Sequence, residues 1–311
     1  MTDPGQIAAY VKSLAAEHDF DACGIAAAEP LAEEKEYLDT WLAKGYHAGM
    51  EYMPKHADKR HDPAKLVVNA RSVIVFLYNY SPDPNLKWTT DYHISCYAYG
   101  VDYHDIIREK LNSIIENLKQ KIPGIAIRGF VDSAPVLERA WATRAGLGWI
   151  GKNSMLISKS KGSYFFIAEI ITDLEMEYDK PMGGNYCGDC SRCMDACPTQ
   201  AITDLRVVDA NRCISYQTIE NKGDIDPFLS GKFENRIFGC DICQQVCPWN
   251  RFSTAHQEPA FAPAEELLHL TNQQFETMDN ELFNKLFRKS ALKRTKFGGL
   301  KRNIEFVKAK N

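Results

Sequence analysis

The chain has 311 residues, 45% of them hydrophobic and 25% charged, with a formal net charge of −4. These proportions exclude a disordered, collagen-like or low-complexity chain and leave room for one large domain or two modest ones. The charge is unevenly placed: residues 281–311 hold ten Lys/Arg against two acids, a local +8, so the other 280 residues sum to −12.

Residues 1–6 carry neither a basic nor an apolar leader segment, and no run of 18 apolar residues occurs anywhere, so a cytoplasmic protein is expected. Helical apolar spacing marks residues 6–18 and 31–46, the latter through Leu31, Leu38, Trp41 and Leu42. Residues 72–78 read as a buried strand. Residues 104–120 are amphipathic, with Ile106, Ile107, Leu111, Ile114, Ile115 and Leu118 on one face, and Pro123-Gly124 stops that helix. A second strand is predicted over 125–131, ending at Asp132. Pro135 suits the first turn of a helix running to about Ala145. A glycine turn over 146–153 follows, then strand-like runs at 153–158 and 163–172. Mixed strands and helices over about 175 residues predict an α+β or three-layer domain. Residues 181–185 look like a boundary. Beyond it, residues 186–250 lack long apolar runs, so a bound cofactor is expected to supply much of their order, and residues 264–311 read as helices.

Eight of the ten cysteines lie between Cys187 and Cys247. In a reducing compartment such a cluster reads as metal ligands or redox groups. Cys187-x2-Cys190-x2-Cys193-x3-Cys197-Pro198 is the run with which bacterial ferredoxins hold a cubane, its fourth cysteine turned toward a neighbouring cluster. Cys240-x2-Cys243-x3-Cys247-Pro248 repeats the second half of it. The first position of that repeat is Ile237, and Cys213 is the available replacement. Two [4Fe–4S] clusters with crossed ligation follow: Cys187, Cys190, Cys193 and Cys247 on one, Cys197, Cys213, Cys240 and Cys243 on the other. Structural zinc also uses C-x2-C pairs, but zinc knuckles rarely carry the full run closed by Cys-Pro. Cys23 and Cys96 read as ordinary buried thiols. Two adjacent cubanes make a wire for single electrons, so the 180 residues in front of it should hold the acceptor.

Four features stand out there: Asp132, the pair Glu138 and Arg139, the glycine turn, and the aromatic stretch 97–104. Each has a plain structural reading. Asp132 could be only a helix N-cap. Gly146, Gly148 and Gly151 match G-x-G-x-x-G, but after a helix rather than a strand. His104 could simply begin a helix.

The string from Val131 through Asp132 to Arg139, the turn from Ala145 to Asn153, the stretch from Ala98 to His104, Cys213-Ile214-Ser215-Tyr216 and the run from Gly239 to Asn250 together resemble epoxyqueuosine reductase, over residues 5–310 in one unbroken order. The resemblance implies an enzyme that reduces epoxyqueuosine to queuosine at the wobble position of tRNA, using cobalamin fed by two [4Fe–4S] clusters. It implies a nitroreductase-like, reductive-dehalogenase-like cobalamin-binding α/β domain over 1–180, a ferredoxin-like domain over 181–255, and a basic helical segment over 256–311. Asp132 falls on the family's catalytic proton donor. Arg60, Cys96, Tyr97, Lys152, Asn153, Ser154, Met155 and Ser215 fall on or beside segments around the corrin. For a carboxyl to give the leaving oxygen a proton it must be protonated near neutral pH, so burial is expected to raise the Asp132 pKa. Lys285, Arg288, Lys289, Lys293, Arg294, Lys296, Lys301 and Arg302 become candidate phosphate contacts for tRNA. The structural alternative for them is a solvated helix face or a disordered tail. The chain resembles the short form, without the C-terminal helical repeats of longer members. An external low-potential electron donor and a monomer are expected. The competing readings are a corrinoid reductive dehalogenase of small organohalides and a plain two-cluster electron-transfer protein.

Overall fold

The computed structural model describes residues 3–309. Its first part is built on four antiparallel strands: β1 (Ala22–Ala27), β2 (Ser72–Asn79), β3 (Ile127–Val131) and β4 (Phe165–Thr172). They lie in the order β1-β2-β4-β3. The first seven residues of β2 are all buried, because helices cover both faces of the sheet and neither side of the strand meets water. One face, with Ile74, Phe76, Phe166, Ala168 and Ile170, packs against α1 (Pro4–Glu17) and α3 (Tyr103–Lys121). The other, with Val73, Val75, Leu77, Phe130 and Ile171, packs against α4 (Glu138–Arg144), which brings Ala140 and Trp141. Helix α2 (Ala32–Ala43) follows β1. The result is the expected three-layer arrangement of mixed helices and strands.

Two local expectations change. Pro135 does not open a helix: residues 132–135 form a succession of bends, and α4 begins only at Glu138 with Leu137 as its N-cap. Asp132 therefore caps nothing. The run 153–158 shortens to Leu156–Ile157, paired with Trp149–Ile150 across the glycine turn. A Cβ on Gly148 would stand 2.3 Å from the Ile157 carbonyl oxygen and one on Gly151 would stand 2.4 Å from the Ile157 side chain. These glycines serve close packing, not a dinucleotide.

The cysteine-rich part is better ordered by its own side chains than expected. Helix α5 (Ile214–Ile219), Ile225, Leu229, Phe233, Ile237 and Phe238 form a third core with α6 (Asn280–Phe287) and α7 (Lys296–Lys308). Tyr92, Ile94 and Ala98 of the first part join the same core. Arg236–Phe238 pairs in parallel with His93–Ile94 and binds the two parts together. The expected division at 256 has no counterpart in this packing, since the core runs straight across it.

Candidate active site

The site forms where β3 ends beside the start of α3. Asp132 follows β3 directly and adopts φ 51°, the left-handed region that an Asp tolerates better than most residues. Its amide donates to Glu138 Oε1 at 2.6 Å, which pins the turn to the first residue of α4. Its carboxylate reaches α3. Oδ2 accepts from the Tyr103 hydroxyl at 2.7 Å and faces His104 Nε2 at 3.2 Å. His104 Nδ1 in turn lies 2.7 Å from Asp102. Tyr103 is sandwiched between Phe166, with ring centroids 3.9 Å apart and planes 8° apart, and His104 at 4.1 Å. The core thus fixes the phenol, and the phenol and Asp102 fix the imidazole. The Asp132 side chain remains 53% exposed, so its other side opens to whatever occupies the cleft.

This arrangement overturns the expected protonation. Burial alone would raise the Asp132 pKa, but the hydrogen bonds from His104 and Tyr103 and the charges of His104 and Arg294 outweigh it and hold the carboxyl below its ordinary value. Burial likewise lowers the His104 pKa, and its bonds to Asp102 and Asp132 overcome that and raise it to about 9. At neutral pH the proton resides on His104, with Asp132 as its carboxylate partner. Glu138 behaves oppositely: burial, then repulsion from Asp132, pushes it up to about 8.

The other residues singled out from the sequence fall at different distances from this cleft. Tyr97, Arg60 and Arg294 share its electrostatic neighbourhood, as does Tyr52, which was not anticipated. Arg60 holds the Tyr52 carbonyl at 2.8 Å and the Met53 carbonyl at 3.2 Å, so part of its donor set is committed to the loop. Cys96 is buried, its amide given to Asp241 at 2.8 Å and its thiol beside the same carboxylate. The turn at 152–155 links the two parts: the Lys152 carbonyl accepts from the Arg206 amide, Asn153 donates to the Cys243 carbonyl at 3.2 Å and its side chain receives the Met155 amide, and the Ser154 hydroxyl donates to the Arg206 carbonyl at 2.5 Å. Arg139 clamps the Ser154 carbonyl at 2.6 Å.

The eight clustered thiols separate into two fours. Cys193 and Cys247 each lie in the field of Cys187 and Cys190. Cys213 faces Cys197, and Cys240 and Cys243 both face Cys213. Cys243 also senses Cys193, so the two sets adjoin. Cys213 is the N-cap of α5; burial raises its thiol above the ordinary value, and the nearby backbone amides of Tyr216 and Ser215 offset only part of that. Among the described residues no three His, Cys, Asp or Glu side chains converge as one ion requires. The donor chemistry fits thiolate-bound cubanes, whose corners are spread apart, better than mononuclear zinc.

The basic segment is only partly free. Lys285 pairs with Glu266 at 2.7 Å, Arg294 with Glu220 at 2.6 Å and Lys308 with Glu276 at 2.6 Å. Arg302 is spent on the carbonyls of Gln217, Asn221 and Gly223, and Lys301 lies over the Phe297 ring at 5.9 Å. Arg288, Lys289, Lys293 and Lys296 are exposed and carry no ion pair among the described residues. Lys310, counted in the basic run, lies outside the described residues. Among the described residues no helix is long and apolar enough to cross a membrane.

A family model described as "Epoxyqueuosine reductase QueG, DUF1730" matches residues 60–133, and one described as "4Fe-4S double cluster binding domain" matches residues 186–250. An epoxyqueuosine reductase of Cyclobacterium marinum is 53% identical over 96% of this chain and 96% of its own length. One from Pseudomonas aeruginosa is 43% identical over 85% of this chain and 74% of its own. A crystal structure of epoxyqueuosine reductase with a tRNA-Tyr epoxyqueuosine-modified stem loop superposes with a TM-score of 0.90 at 30% identity, covering 98% of this chain and 81% of that one. The Streptococcus thermophilus enzyme superposes at 0.86 with 29% identity over the same shares.

Proposed function

The chain belongs to the epoxyqueuosine reductase family, and from that premise we propose that it removes the epoxide oxygen of epoxyqueuosine at the wobble position of tRNA, leaving queuosine. It is an oxidoreductase whose cofactors are cobalamin and two [4Fe–4S] clusters. The observation that carries this reading is the half-exposed Asp132 carboxylate, paired with a protonated His104, in the same molecule as eight thiols in two fours.

Opening and deoxygenating an epoxide consumes two electrons and two protons and releases water. Cobalamin supplies a strongly reducing cobalt centre when bound, and the clusters supply single electrons at low potential. Cys187, Cys190, Cys193 and Cys247 hold one cluster, and Cys197, Cys213, Cys240 and Cys243 the other. Arg60, Cys96, Tyr97, the 152–155 turn and Ser215 are the residues that would hold the corrin within reach of Asp132. The proton on His104 Nε2 passes to Asp132 Oδ2, and Asp132 presents it to the departing oxygen. Tyr103 keeps the carboxylate aimed while the proton moves. The exposed cations of 256–311 contact tRNA phosphates, with the modified base turned into the cleft. The enzyme works as a monomer in the cytoplasm, with reducing equivalents from an external low-potential donor.

The test is anaerobic turnover of an epoxyqueuosine-bearing anticodon stem loop by the reconstituted protein with excess reductant, read by nucleoside mass spectrometry. Loss of one oxygen atom from the modified base is expected. An unchanged nucleoside with cobalt and iron both loaded overturns the reading.

A further inference from the structure

Glu169 stands in the middle of β4, opposite Val75 of β2 and Phe130 of β3. It is fully buried, and among the described residues neither carboxyl oxygen has a hydrogen-bond partner. A buried polar group left unpaired is costly, and its strand is otherwise largely apolar. The face it shares with Phe165 and Ile171 packs under α4, whose first residue is Glu138. Glu138 commits Oε1 to the Asp132 amide, which leaves Oε2 as the position for a proton. Glu169 lies in the field of both Glu138 and Asp132, so three carboxyls share one neighbourhood, and Asp132 already touches His104.

We propose that Glu138 supplies the second proton of the reaction through Asp132, and that Glu169 is the buried acid whose O–H receives the charge then left on Glu138. Both act through Asp132 and touch no substrate, so the proposal rests on the reading of Asp132 given above. The balance is simple. The first proton leaves His104 Nε2, crosses Asp132 and reaches the epoxide oxygen. The second leaves Glu138 Oε2, reprotonates the Asp132 carboxylate and goes to the same oxygen. That oxygen departs as water while the clusters provide the two electrons. Glu138 is now a carboxylate at the half-buried edge of α4, and the Glu169 hydroxyl, unpaired among the described residues, becomes its donor. A charge-assisted bond of this kind is stronger than a neutral one. Solvent then returns one proton to Glu138 and one to His104 from the exposed side of Asp132.

The charged and titratable neighbours support this order. Glu138 is faced by Asp132, Arg139, His104, Arg60 and Glu169; Asp132 also by Tyr103, Arg294, Tyr97 and Tyr52. Burial, then the charges of Glu138 and Asp132, keeps Glu169 well above the carboxylate range, so it stays protonated while Glu138 titrates near 8.

Two measurements decide. In infrared spectra of the protein titrated without substrate or reductant, one protonated-carboxyl band should vanish near pH 8 and be missing in Glu138→Gln. A second should persist past that pH and be missing in Glu169→Gln. In turnover at saturating RNA, the wild-type rate should fall above about pH 8. Glu138→Gln keeps an oxygen for the Asp132 amide, yet should lose about 100-fold, with its remaining decline moved toward 9, where His104 deprotonates. Glu169→Leu should lose about tenfold, and Glu169→Gln, whose amide still donates, should restore most of that. Wild-type rate and pH profile in Glu138→Gln, or both carboxyls titrating in the ordinary range near 4, overturns the proposal. The infrared titration needs no turnover, so it separates failure of the two carboxyls from failure of the enzyme on its RNA. Glu169→Gln preserves side-chain shape and decides the band assignment however Glu169→Leu folds.

Discussion

Asp132 owes its role to a backbone twist and two neighbours. The left-handed φ aims its carboxylate at Tyr103 and His104 while its amide is held by Glu138. Asp132→Asn keeps the shape but cannot accept and pass a proton in the same way, so kcat should fall about 100-fold or more, with RNA affinity unchanged in a binding assay. His104 links the same pair to stability. Its folded pKa, about 9, lies above its ordinary value, so the stability it adds is full below about 6.5 and fades as pH rises through 9. Asp132, held low, adds stability above the ordinary carboxylate range and loses it as pH falls. Melting temperature should therefore drop between pH 6.5 and 9.5 in the wild type and drop less in His104→Gln; an equal drop refutes the pairing. The sequence marks Asp132 and His104 as candidates but not their protonation, because a tyrosine and a histidine 28 or more residues away decide it. Glu169 was visible as an acid inside an apolar strand. Its lack of any partner was not, since that depends on β2, β3 and α4 closing over it.

At the scale of elements, the long helices follow from periodicity: the apolar face of 104–120 became α3, Tyr103–Lys121, with Asp102 as its cap. The late start of α4 could not be read the same way, because the Asp132–Glu138 bond and not local preference ties the bends at 132–135 to the helix start. The C-terminal helix α7 looked merely basic. Its buried side carries Asn303, fully enclosed, whose amide donates to the carbonyls of Thr218 and Ile237 at 2.9 Å each. Those two carbonyls belong to α5 and to the short strand Arg236–Phe238, both in the third core. Asn303→Leu strands the Ile237 carbonyl in a dry interior and leaves the Thr218 carbonyl only the Thr295 hydroxyl, and should cost about 2 kcal/mol, read by denaturant unfolding, with cluster loss at a lower denaturant concentration than in the wild type. A neutral outcome would mean that the helix is not a fastening.

For the whole molecule, the two sets of four cysteines are legible from spacing alone, because cubane ligation is written in short local runs. The third core was not legible, because it gathers residues 92–98 with 214–307 across a cysteine-rich stretch that looks weak by itself. The same packing sorts the basic residues. Arg302 is a structural fastening, whereas Arg288, Lys289, Lys293 and Lys296 are exposed and make no ion pair among the described residues. Replacing those four with Gln should weaken stem-loop binding and reduce the slope of log affinity against log salt by roughly 3, at about 0.7 per lost contact. Arg302→Gln should lower the melting temperature and leave the slope alone. The third core also sets a timetable for the making of the protein. The four-stranded sheet and the helices on its faces are complete by Thr172 and can fold while the chain is still emerging. The core that packs against Cys240 and holds α5 is completed by α7, which is synthesised after every element it covers. The iron–sulfur pocket is thus finished last, after the catalytic layer has formed, so cells starved of cluster assembly should accumulate chains with a folded sheet and an open, protease-sensitive second half.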